Sequence, residues 1–167
     1  IVAIADLGEP ERFTNQNPDF QGIPGYSQRS INNNLLPDNN ANGIFQELID
    51  NPTAKFSDKA INALKTPPLS LQQVRDFEKV SARLLSPSEY SIHPELGFIS
   101  LNINVRPDEV LGVAFEYSYG DSIYQVGQLS NDIRSTQDTV TKNVLFVKML
   151  KSSTQNVTLP TWDLMMK

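Results

Sequence analysis

The side chains that could do chemistry in this 167-residue chain are few and scattered. There is one histidine, His93, beside Pro94. A metal centre needs several nitrogen, sulfur or carboxylate ligands, and one histidine without any cysteine supplies little of that. A turn role is the simpler reading of His93. Acidic residues come in three close pairs, Asp6/Glu9, Asp108/Glu109 and Asp132/Asp138. Two carboxylates facing across a cleft would make a hydrolase, and such acids can lie far apart in the chain. Solvated surface charge is the competing reading. Tyr117, Tyr119 and Tyr124 crowd one stretch, and with Trp162 they could stack on a sugar or a protein partner. Alternation places Tyr117 toward a core instead. No phosphate loop, dinucleotide fingerprint, nucleophile elbow or calcium loop occurs. The residues therefore predict no catalytic, cofactor-binding or metal-binding set.

Composition narrows the classes further. Hydrophobic residues make up 39% and charged residues 20%, which fits one globular domain with its own core. The net charge of -5 opposes a nucleic-acid partner, which requires a basic stripe, and gives no attraction to an anionic membrane surface. With no cysteine, disulfides and thiolate chemistry are excluded. The longest apolar run, Val144 to Leu150, is broken by Lys148 and falls far short of the roughly 20 residues of a spanning helix.

The elements that must position these groups read as α+β, mainly β in the second half, within a single unit spanning 1–167. "IVAIADLG" reads as a strand ending in a turn at Gly8. Residues 9–43 are rich in Asn, Pro, Gln and Gly and read as a long irregular segment. Two or three short helices are expected within 44–85: one over Ile44–Asp50, one capped by Ser57, and one opened by Ser70 with Gln73. In the last, Leu71, Val74, Phe77, Val80 and Leu84 recur at helical spacing. Then the period changes to two. "EYSIHPELGFISLN" reads as a hairpin turning at Pro94 and Gly97, and "EVLGVAFEYSYGDSIYQVGQLS" as another turning at Gly120-Asp121. "NVLFVKMLK" reads as a strand, and Thr161 as the cap of a last helical turn. The chain opens on apolar residues and closes on "LPTWDLMMK", which leads to the expectation of a piece of a larger protein. Ile1, Val2 and Ile4 would then be a terminal strand lacking neighbours, and copies would self-associate through exposed edges.

Four long stretches resemble one family, SprA (Sov), the outer-membrane translocon of the type IX secretion system in Bacteroidota. They are "IVAIADLGE" at 1–9, "ARLLSPSEYSIHPELGFISLN" at 82–102, "DEVLGVAFEYSYGDSIYQVGQLSND" at 108–132 and "LFVKMLKSSTQNVTLPTWDLMMK" at 145–167. They follow the family's order and cover about half the chain. The resemblance implies a very large β-barrel that exports cargo proteins and supports gliding motility. It implies partners at a lateral opening and at the periplasmic mouth, a PorV-like barrel and a plug, and no catalysis or cofactor. Glu109 and Glu116 interrupt any lipid-facing pattern, so the expected role is an inserted water-soluble docking domain, extracellular or periplasmic, of an outer-membrane parent. A carbohydrate-binding or adhesive β-sandwich using Tyr119, Tyr124 and Trp162 is the alternative. "DSI" at Asp121–Ile123 and "DTV" at Asp138–Val140 resemble an O-glycosylation signal of that phylum, at Ser122 and Thr139. Asn156 heads a eukaryotic-type sequon.

Overall fold

The structure, a computed structural model, describes residues 1–10, 36–132, 143–154, 156–157 and 160–165. In chain order the elements are β1 (Val2–Ile4), α1 (Ile44–Asp50), α2 (Ala60–Lys65), β2 (Phe77–Lys79), β3 (Tyr90–His93), β4 (Phe98–Leu101), β5 (Leu111–Val113), β6 (Phe115–Tyr119), β7 (Ser122–Val126), β8 (Phe146–Lys151) and α3 (Pro160–Asp163). The fold is α+β with mostly strands, and its two longer helices both lie in the stretch where short helices are expected.

Four strands form the central sheet in the order β2-β1-β8-β5. β1 runs antiparallel to β2, with Ile4 opposite Phe77, and parallel to β8, with Val2 opposite Phe146. The expectation that β1 lacks neighbours is therefore corrected: it is an interior strand, and Val2, Ala3 and Ile4 are fully buried. Its partners come from distant parts of the sequence, which local patterning cannot reveal. Because successive side chains alternate, the sheet buries both faces. Val2, Ile4, Phe77 and Phe146 pack with Ile44, Leu48 and Leu64 of the two helices. Ala3, Ala5, Val147 and Met149 form the opposite cluster with Val110 and Ala114. Fully buried side chains of this size each contribute about 1.5–3 kcal/mol.

The two expected hairpins are present. β3 pairs with β4 and β6 with β7, each antiparallel and without a register shift. Their turns use Gly97 at φ +71 and Gly120 at φ +60, a region that suits glycine. The run leading into the second hairpin is split at Ala114. Its first part, β5, joins the central sheet against β8, and its second part, β6, leaves it.

The helix expected from Ser70 does not form. Leu71 and Phe77 are buried as its spacing required, but Val74 is 37% exposed and sits at φ +76. The backbone is taken by other partners. The Gln72 amide donates to the Asp76 carboxylate at 2.8 Å, and Phe77–Lys79 pair with β1. Val80 is half-buried and Leu84 is exposed. α2 starts at Ala60 with Lys59 at its N-cap and no side-chain cap, so Ser57 does not cap it. Thr161 lies inside α3 rather than ahead of it. Of the 9–43 segment, expected to be irregular, residues 9–10 and 36–43 are described, and these two ends are tied together. Asp38 N–H donates to Gly8 O, while Asn42 Nδ2 donates to Asp6 O and Glu9 O.

Candidate functional site

Five of the six acidic residues raised by the sequence lie among the described residues. Asp6 is buried just beyond β1, and its charge helps hold the Arg75 guanidinium protonated. The Glu9 carboxylate accepts from the Lys148 ammonium, which also donates to Ala5 O at 2.9 Å. Arg75 donates to both oxygens of Asp76, at 2.5 and 2.7 Å. Glu9 thus ties the end of β1 to β8, while the Asp6 charge acts on Arg75, whose bonds go to Asp76. Asp108 is exposed and Glu109 half-buried, both beside Arg106. Asp132 ends a short 3-10 turn (Ser130–Asp132). Asp138 and Thr139 lie outside the described residues. No group of three His, Cys, Asp or Glu side chains suited to a metal ion occurs among the described residues.

Sequence reasoning passed over two further buried carboxylates, Asp76 and Glu78, and the second of these bridges elements. It accepts from Ser152 Oγ at 2.7 Å, Ser153 N at 2.8 Å and Ser153 Oγ at 2.6 Å, joining β2 to the segment after β8. Nearby, the Lys151 ammonium donates to the carbonyls of Pro107 and Glu109 at 2.8 and 2.6 Å. Burial pushes its pKa down, and the charges of Asp108, Glu109 and Glu78 push back.

The aromatic residues divide. Tyr117 and Tyr124 stack on each other with ring centroids 5.3 Å apart, and Tyr117 donates its hydroxyl to Pro37 O at 2.7 Å. Burial raises the Tyr117 pKa. Tyr119 is exposed at the tip of the β6–β7 hairpin, and Trp162 is half-buried on α3. Ser122 is exposed at the start of β7, and Asn156 is exposed after β8.

His93 closes β3 rather than sitting in the turn. Its ring stacks on Phe98 at 4.4 Å, and its Nε2 lies 3.2 Å from Ser100 Oγ. Beside it is a surface hollow of about 240 Å³ lined by Ile92, His93, Pro94, Glu95 and Leu96. That is smaller than the roughly 300–1,000 Å³ of typical small-molecule sites.

The feature that stands out lies on the same hairpin. Tyr90, Ile92, Ile99 and Leu101 share one face, because Tyr90 is opposite Leu101 and Ile92 opposite Ile99. Ile92 is 61% exposed, Ile99 38%, and Leu96 in the turn 73%. At the hairpin's base, Arg83 grips Glu89 with two bonds of 2.7 and 2.6 Å, and Ser86 N adds a third at 2.8 Å. The Arg83 bonds, then the Ser86 amide, hold the Glu89 carboxyl at about 2, well below its ordinary value. A rigid base thus presents an apolar hairpin face to solvent. The sequence signal was available: "YSIH" and "FISL" contain no charged residue.

The chain matches no family model and no curated protein. No helix among the described residues is long and apolar enough to cross a membrane.

Proposed function

We propose that this chain is a non-catalytic docking domain of a type IX secretion outer-membrane translocon of the SprA kind, serving cargo export and gliding motility. The observation that carries the docking role is the exposed apolar face of the β3–β4 hairpin. Contiguous exposed apolar surface on a water-facing domain marks a contact site for another protein. The four stretches resembling SprA supply the setting. The partners are then other secretion-system proteins, a PorV-like barrel or a periplasmic plug, and secreted cargo. Two further features favour docking over chemistry. The buried carboxylates of Asp76 and Glu78 are engaged with a cation, amides and hydroxyls of the fold itself. Sugar binding calls for coplanar exposed aromatics along a groove, whereas Tyr117 and Tyr124 cover each other's rings.

The test is export in cells that make the parent translocon. Removing residues 1–167 in frame, with the parent still inserted in the outer membrane, is expected to leave cargo inside the cell. Normal export and motility in that strain would overturn the reading.

A further inference from the structure

The main-chain geometry of the β3–β4 hairpin says more than its exposed face does. Asn102 N–H donates to Glu89 O at 2.8 Å, so residues 89 and 102 form a hydrogen-bonded pair. The register continues unbroken from Tyr90↔Leu101 to His93↔Phe98. Hydrogen-bonded and non-hydrogen-bonded pairs alternate along an antiparallel ladder. Tyr90↔Leu101 and Ile92↔Ile99 are therefore the non-bonded pairs. The N–H and C=O groups of Tyr90 and Ile92 point away from β4, toward the outer edge of β3. Among the described residues no strand pairs with that edge, and no main-chain group from outside the hairpin bonds it. The residues with outward-pointing amides are the same ones whose side chains make the apolar face.

Natural edges are commonly blunted by charge, proline or a bulge. β2 carries Lys79 and β6 carries Glu116, whereas β3 and β4 carry none of these devices, and Ile92 of β3 is the more exposed, 61% against 38% for Ile99 of β4. A two-stranded hairpin is also marginal in water by itself, and a third strand is the usual remedy. We propose that the outer edge of β3 accepts an extended, uncharged segment of a partner protein as a third strand. The segment would carry apolar side chains at alternate positions. This rests on the docking reading and names its mode. Residues bonded directly to Tyr90 and Ile92 lie on the same face as those two, so apolar residues there extend that face, while main-chain bonds supply the affinity. Area decides against a second copy seated face to face. Ile92, Leu96 and Ile99 together expose on the order of 300 Å², against the about 800 Å² that each partner of a stable dimer buries.

The probe is a labelled synthetic decapeptide of alternating Val and Thr, compared with a peptide of the same composition in two blocks. Binding to the full chain is read by fluorescence anisotropy, and amide exchange at Tyr90 and Ile92 by NMR. The expected result is saturable binding of the alternating peptide, slowed exchange at both amides, and at least tenfold weaker binding to Ile92→Pro. Proline at position 92 removes an outward-pointing donor together with the Ile92 side chain but no bond to β4, so the hairpin is retained, as circular dichroism would check. Ile92→Lys tests the apolar face separately and is expected to weaken binding as well. Equal binding of both peptides, or undiminished binding to Ile92→Pro, would overturn the proposal. So would slow exchange at these amides in the free chain, whether it is present at low concentration (a segment of this chain on the edge) or grows with concentration (a second copy). If the peptide fails to bind while the deletion strain still retains cargo, this edge is wrong and the docking reading stands.

Discussion

At the scale of single residues, two positions carry measurable consequences. Val74 is β-branched at φ +76, where an L side chain costs roughly 1–2 kcal/mol or more. It is 37% exposed, so little packing is lost by trimming it. Val74→Gly is expected to stabilise the chain by about 1 kcal/mol after the entropic cost of glycine, raising Tm by about 2–4 °C. A lower Tm in thermal melts would contradict the assigned backbone. Glu89 is the second. Its folded pKa of about 2 lies below its ordinary value of 4.5. Stability from this group is thus complete above the unfolded carboxylate range and is lost as pH falls through about 2. Carbonyl NMR should place its midpoint near 2, and Arg83→Gln should return it toward the ordinary value. Neither residue's role was legible. Helical spacing at Leu71, Val74 and Phe77 looked persuasive because two of the three are buried, but burial there comes from a loop clasped by Asp76. Arg83 and Glu89 are joined across a stretch with no helix or strand, so no period relates them.

At the scale of elements, the sequence spoke clearly where a turn residue and a period of two coincide. Gly97 and Gly120-Asp121 marked both hairpins because their local chemistry decides the connection. It was silent where partners are remote. β1 looked like a frayed end, and only the pairing with β2 and β8 makes it central. The return of the 9–43 segment was likewise invisible. Asn42 is buried and makes three bonds, donating from Nδ2 to Asp6 O at 2.7 Å and Glu9 O at 3.1 Å, and accepting from Ile44 N at 3.2 Å. It thereby ties the end of β1 to the start of α1. Asn42→Ala takes a partner from the Glu9 carbonyl and the Ile44 amide and leaves Asp6 O with only its 3.3 Å bond from Glu9 N, and each unpaired buried group costs about 1–3 kcal/mol. The expected loss is about 2–4 kcal/mol in urea unfolding, against less than about 0.5 kcal/mol for the exposed neighbour Asn40→Ala. Similar losses for both would mean that Asn42 does not join these elements.

At the scale of the whole molecule, a two-faced sheet with helices on one side supports two hairpins of different character. The β6–β7 hairpin is laced to residues 37–39 through Tyr117, Gln125 and Gly127. The β3–β4 hairpin stands on the Arg83–Glu89 clasp and keeps an uncharged edge and an apolar face in solvent. This division of labour suits a domain whose task is contact. The sequence led to the expectation of no chemical constellation and, through the resemblance, to a proposed setting. It did not convey which surface makes the contact, because that depends on what the fold leaves uncovered. The most direct measurement is a quantitative comparison of the proteins that copurify with the parent translocon from native outer membranes, with and without residues 1–167. The docking account predicts loss of one specific secretion-system partner while the parent stays in the membrane. An unchanged set of partners would contradict it.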